Sequence, residues 1–168
     1  MALALRALSR LLGRAVLPSE IVFAQGEKPR LAPPVALAAG EAPRASPGAA
    51  RGAHDVAADF SISHGGPWVA CAALVQAHVG FDLEMGCDQR VSDWVLREAA
   101  LKASGEGLRA LCEVQDLTQH ESMLRWRGES WHVSRLEGFA DASACVVCSR
   151  EVPAVERHAL TLGELFLS

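Results

Sequence analysis

Between Val79 and Ser104 the hydrophobic pattern switches from a period of two to an uninterrupted helical run, and this switch restricts the fold more than any other feature of the chain. In Val79-Gly80-Phe81-Asp82-Leu83-Glu84 the acids alternate with Phe81 and Leu83. As a strand, the segment puts both carboxylates on one face and both large apolar side chains on the other. Trp94 to Ser104 lacks Gly and Pro and is rich in Leu, Ala, Arg, Glu and Lys. That composition predicts a helix from about Asp93 to Ser104, closed near Gly105 and Gly107, with Glu98 and Lys102 one turn apart on the same side. A hard divalent ion such as Mg2+ takes oxygen ligands and is commonly shared between a few carboxylates and substrate phosphates. Lys102 suits a phosphate as a compact point charge. The plainer reading is a pair of solvated strand acids beside a helix-surface ion pair that contributes little.

Upstream, Leu5, Leu8 and Leu12 make one face of an amphipathic helix expected from about Leu3 to Val16, with Arg6, Arg10 and Arg14 opposite. The arginines give a superficial likeness to a transit peptide but interrupt any membrane span, so no stable membrane insertion is expected. A short strand at Ile21-Val22-Phe23 leads to a turn at Lys28-Pro29. Ala32 to Asp59, with Pro33, Pro34, Pro43 and Pro47, reads as an irregular connection or a lid. Trp68 to Gln76 and His78 to Leu83 read as strands joined by a hairpin-like turn. Alternation through Ser122 to Arg127, Ser130 to Leu136 and Ala142 to Cys148 predicts an antiparallel meander, with Trp126 and Trp131 packed across strands. Trp94, Leu101 and Leu108 are the expected core beneath the second helix. The fold class is therefore α+β, antiparallel sheets with packed helices.

With 168 residues, half of them apolar, the chain supports one sizeable core, arranged as one domain or two small lobes. A net charge of -4 argues against a nucleic-acid partner. Five cysteines form an odd set without the density of a disulfide scaffold, which points to a reducing cytoplasm. Cys145 and Cys148 have Cys-x-x-Cys spacing, but on a strand they face opposite sides and read as core packing. Among the histidines only His64 stands out, because it precedes Gly65-Gly66, where bare backbone amides can approach an anion.

Several ordered blocks resemble the 4'-phosphopantetheinyl transferases of the surfactin-synthetase-activating type. Glu27-Lys28-Pro29-Arg30-Leu31 is similar to the family's Gly-Lys-Pro block, with Glu27 at the glycine position. Phe60 to Val69, beginning Phe60-Ser61-Ile62-Ser63-His64, resembles its Phe-Asn-x-Ser-His-Ser block and the strand that follows, and Val79 to Glu84 its Gly-x-Asp-x-Glu block. Trp94 to Leu108 resembles Trp-x-x-Lys-Glu-x-x-x-Lys-x-x-Gly-x-Gly-Leu, with Arg97 where lysine is usual. Ala144 to Cys148 and Leu162 to Phe166 are similar to the last strand and tail. The resemblance implies Asp82, Glu84 and Glu98 as Mg2+ ligands and Lys102 on the pyrophosphate of coenzyme A. It also implies Ser63 and His64 on CoA phosphates, and Lys28 with Pro29 at the adenine end. Catalysis would fall to Glu98, Lys102 and His64, with Glu98 accepting the proton of an acceptor serine.

The implied reaction moves the phosphopantetheine arm of CoA to a serine of an apo acyl or peptidyl carrier protein and releases adenosine 3',5'-bisphosphate. The implied fold has two similar lobes about a pseudo-twofold axis, with CoA in the cleft between them. Here residues 1–31 would be the remnant of a first lobe, 32–59 a loop and 60–168 the transferase core. Two departures stand out: the basic residues that grip the 3'-phosphate have no counterpart beyond Arg6, Arg10 or Arg14, and Glu84 lies only ten positions before Trp94. They motivate a second expectation, a relative that binds CoA or a carrier without transfer. An incomplete first lobe further suggests self-association. A nucleotide hydrolase built on the same acidic trio is a third.

Overall fold

The first helix, α1 (Ala2–Leu12), is built from Ala, Leu and Arg and stops at Gly13, whose φ of 63° is left-handed backbone that glycine adopts without strain. It is therefore shorter than the span to Val16 expected from its pattern. Ala4 and Leu8 are fully buried, with Leu5 and Leu12 packed beside them. Arg14 turns back onto Glu20 at 2.8 Å. This computed structural model describes residues 1–23, 28–32, 58–107, 110, 118–120, 122–126, 128–151 and 155–161. Glu27, most of the Pro-rich stretch, Leu108, Cys112 and the tail block Leu162 to Phe166 lie outside these.

Strands β1 (Ile21–Val22) and β2 (Arg30–Leu31) form a small antiparallel pair. β3 (Ala58–Gly65) begins inside the stretch read as a connection and pairs antiparallel with β4 (Trp68–Val75). β5 (Val79–Met85) leads to α2 (Gln89–Ser104). β6 (Thr118–His120), β7 (Met123–Trp126), β8 (Glu129–Leu136) and β9 (Ala142–Cys148) complete an antiparallel sheet of order β5-β9-β8-β7-β6. The meander is present as expected, with β6 in addition.

The expected hairpin between Trp68 to Gln76 and His78 to Leu83 does not form. β4 pairs with β3, whereas β5 pairs with β9, Val79 opposite Cys148. Gln76, with φ of 54°, turns the chain from one sheet to the other. The reason lies in β4 itself, which is apolar on both faces: Cys71, Ala73 and Val75 join the core under α1, and Trp68, Ala70, Ala72 and Leu74 pack on Phe81, Leu83 and Val146. Such a strand forms a layer between two others. The order of layers is α1, the β3-β4 pair, the five-stranded sheet, then α2.

α2 covers the far face of that sheet, burying Val95, Leu96, Ala99, Leu101 and Ala103 against Leu124, Trp126, Trp131, Cys145 and Val147. It starts four residues before the expected Asp93 because Asp88 caps it, accepting from the Val91 amide at 2.9 Å. Trp94 was expected in the core but is 39% exposed, on the outer side of the helix. Cys145 and Cys148 do face opposite sides, one toward α2 and one toward β4. Burial pushes the Cys145 thiol up to about 12 and that of Cys148 to about 11. Helix and sheet meet most closely at Gly80, where a methyl group would run into the Ala99 carbonyl and the Ala103 amide.

β3 runs along the free edge of β5 without pairing to it through the backbone. The polar side chains of β3 form the contacts instead. The Val79 amide donates to Asp59 Oδ2 (2.8 Å), the Ser61 hydroxyl to the Phe81 carbonyl (3.3 Å), and the Leu83 amide to Ser63 Oγ (3.3 Å). Each link spans 20 positions, and a constant offset means that the two strands run in the same direction. Phe60 and Ile62, on the opposite face of β3, pack toward α1.

Candidate functional site

The period-two alternation of β5 sets Gly80, Asp82 and Glu84 toward α2, while Phe81 and Leu83 enter the core with β4. Gly80 allows the helix to approach closely, and one turn of α2 delivers Glu98 and Lys102 beside Asp82. Lys102 Nζ lies 2.6 Å from Asp82 Oδ1 and 3.7 Å from Glu98 Oε2. Asp82 is only 1% exposed, so this is no solvated surface pair. Ser63 reaches in from β3, donating to Asp82 Oδ1 at 2.8 Å and accepting from Lys102 Nζ at 3.3 Å. Asp82 Oδ2 is buried and has no hydrogen-bond partner among the described residues.

Burial raises the Glu98 carboxyl above its ordinary range, and the negative charges of Asp82 and Glu84 add to the rise against the pull of Lys102. Glu84, half-buried at the end of β5, therefore belongs to the same electrostatic cluster. Among the described residues no three His, Cys, Asp or Glu side chains stand together closely enough to hold a metal ion as they are placed. Lys102, a cation itself, lies between Asp82 and Glu98. The donor chemistry nonetheless fits a hard divalent ion, because a bare carboxylate oxygen and mutually repelling acids are what such an ion stabilises.

The remaining residues singled out in the sequence lie elsewhere. Lys28 is held in a buried ion pair with Asp59 at 2.6 Å and also donates to the Val79 carbonyl. Burial lowers its pKa despite Asp59. The Asp59 carboxyl, which burial alone would push up, is drawn below its ordinary value by His78, Lys28 and the Val79 amide. Asp59 and Ser63 are four residues apart on β3, about 13 Å at strand spacing, so Lys28 and Pro29 are not part of the Lys102 cluster. His64 is exposed and lies on the opposite face of β3 from Ser63.

Beside Glu84 a crevice of about 530 Å³ opens along α2, lined by Met85, Arg90, Asp93, Trp94 and Arg97. Arg90 and Arg97 have no ion-pair partner among the described residues. The signal for this surface was present in the sequence: Arg90, Trp94 and Arg97 recur at helical spacing. A comparable signal announced β3, where Asp59, Ser61 and Ser63 alternate with Phe60 and Ile62.

Among the described residues no helix is long and apolar enough to cross a membrane. No family model matches this chain, and no curated protein sequence matches it either.

Proposed function

We propose that this chain is a Mg2+-dependent 4'-phosphopantetheinyl transferase that moves the phosphopantetheine arm of CoA to a serine hydroxyl of an apo carrier protein. The observation that carries this reading is the meeting of Glu98 and Lys102 with the buried Asp82, since those residues come from two separate blocks of the resemblance. Asp82, Glu84 and Glu98 would hold the ion. When bound, it would neutralise charge on the diphosphate and the leaving group.

The chain's own groups divide the rest of the work. Lys102, tethered to the buried Asp82, places a positive charge where the pyrophosphate would be held. Glu98, one helical turn from Lys102 and beside Asp82, is the group that would accept the proton of the acceptor serine. The crevice beside Glu84, with Arg90 and Arg97 at its wall, is where the acceptor serine would approach. The roles of Lys28, Pro29 and His64 toward CoA rest on the resemblance alone.

Incubation with CoA, Mg2+ and several apo carrier proteins, followed by intact-mass measurement, tests the reading. A carrier that gains the phosphopantetheine arm supports it, and unchanged carriers across the panel count against it. Two observations favour the second reading, a relative that binds CoA or a carrier without transfer. Lys28 is already engaged by Asp59, and His64 is turned away from the cluster. CoA binding that is indifferent to Mg2+, with every carrier unmodified, would select it.

A further inference from the structure

We propose that Ser63 is a positioning residue: its hydroxyl holds Asp82 by one oxygen, and so presents the other, Oδ2, to a divalent cation. The inference rests on the cation site proposed above and concerns a residue that the resemblance would place on a CoA phosphate.

A serine hydroxyl has one proton to donate and two lone pairs to accept with. Ser63 uses all three. It donates to Asp82 Oδ1 at 2.8 Å and accepts from the Leu83 amide at 3.3 Å and from Lys102 Nζ at 3.3 Å. It is 7% exposed, which leaves little room for a ligand to replace any of these partners. Because the Leu83 amide is fixed in β5, the hydroxyl is anchored to the strand that carries Asp82. The Oδ1 atom is thus claimed by both Ser63 and Lys102, while Oδ2 is left buried and without a partner among the described residues. A carboxylate secured at one oxygen keeps the other oriented for a metal, as outer partners of metal ligands do.

Ser61 supplies the internal control. It occupies the equivalent position two residues earlier on β3 and donates to the Phe81 carbonyl at 3.3 Å, with no bond to a carboxylate among the described residues. Loss of either hydroxyl weakens the seam between the sheets, and only loss of Ser63 should disturb Asp82.

The test is Mn2+ binding by the full chain without CoA or carrier, followed by electron paramagnetic resonance, with chemical denaturation recorded alongside. Ser63→Ala is expected to weaken Mn2+ binding by about tenfold or more, the range seen when an outer partner of a metal ligand is removed, whereas Ser61→Ala should leave it within about twofold. Ser63→Thr, which keeps the hydroxyl, should retain most of the affinity. If Ser63→Ala does not fold, Ser63→Cys carries the same expectation, because a thiol is a poor donor in the same space. A loss of metal-free CoA binding in Ser63→Ala with Mn2+ affinity unchanged would instead assign Ser63 to a phosphate and overturn the inference.

The inference is overturned if folded Ser63→Ala binds Mn2+ like the unaltered chain, if Ser61→Ala loses as much affinity, or if the unaltered chain binds no Mn2+. Carrier transfer is measured separately. Active transfer with Mn2+ affinity indifferent to Ser63 defeats only this inference. Mn2+ binding that depends on Ser63, without transfer to any carrier, defeats only the functional reading.

Discussion

At Glu98 two consequences of burial separate by measurement. Its carboxyl is raised by desolvation first and by Asp82 and Glu84 next, so its charged form is disfavoured in the fold. The stability linked to this group is fully present below the ordinary carboxylate range and is lost as pH rises through the raised pKa. Glu98→Gln removes that dependence. In the presence of a chelator, the variant should gain stability over the unaltered chain as pH climbs through that window and match it below, as read from urea midpoints across pH. The same variant should show no carrier modification while remaining folded, and full turnover would remove Glu98 from its assigned role. Lys102→Ala should cost about 2 to 4 kcal/mol of transition-state stabilisation, seen in kcat/KM, if the ammonium stabilises charge in a water-poor site. It also strips a buried carboxylate of its partner, so combining it with Asp82→Asn should restore part of the lost stability. A rate loss below about threefold would reduce Lys102 to an ion-pair partner. Asp82, Glu98 and Lys102 were legible in the sequence because strand and helix periods each fix a face. The partners of Asp59 and Ser63 were not, since they are met across 20 positions through side chains.

Elements were legible where one period dominated locally. The amphipathic α1, the Leu and Ala run of α2 and the alternation of β8 and β9 were all readable. The pairing of β4 was not, because a strand apolar on both faces carries no mark of its partner and a short connection imitates a hairpin. The start of α2 was missed because Asp88 acts through one side-chain bond to Val91 rather than through pattern. The contact between β5 and α2 has a sharp requirement at Gly80. Gly80→Ala should destabilise the chain by about 3 kcal/mol, since the added methyl meets helix backbone that has no rotamer to yield. Thermal or urea unfolding checks this, and a Tm unchanged by the substitution would mean that α2 does not sit on β5 as described.

The whole molecule depends on how the β3-β4 pair and the five-stranded sheet are joined. The β3-β4 pair is tied to the five-stranded sheet by the apolar layer around Phe81 and, at the edge of β5, by the Asp59, Ser61 and Ser63 contacts. Asp59 does most at one end: its carboxylate accepts from Lys28 at 2.6 Å and from the Val79 amide at 2.8 Å. Asp59→Asn leaves the Lys28 charge buried without its counterion and should lower unfolding free energy by about 3 to 5 kcal/mol. Urea denaturation followed by tryptophan fluorescence reads this, and a loss under about 1 kcal/mol would show the pair to be no more than a surface contact. Because the folded Asp59 pKa is lowered, its contribution is present above the ordinary carboxylate range and fades as pH falls through the lowered value.

An outer strand ordinarily presents bare amides and carbonyls on which a foreign strand can build, and proteins meet that hazard with lysines, prolines or bulges. Along β5 the hydroxyls and the carboxylate of β3 already occupy Val79, Phe81 and Leu83, so this margin offers little to template intermolecular β-aggregation.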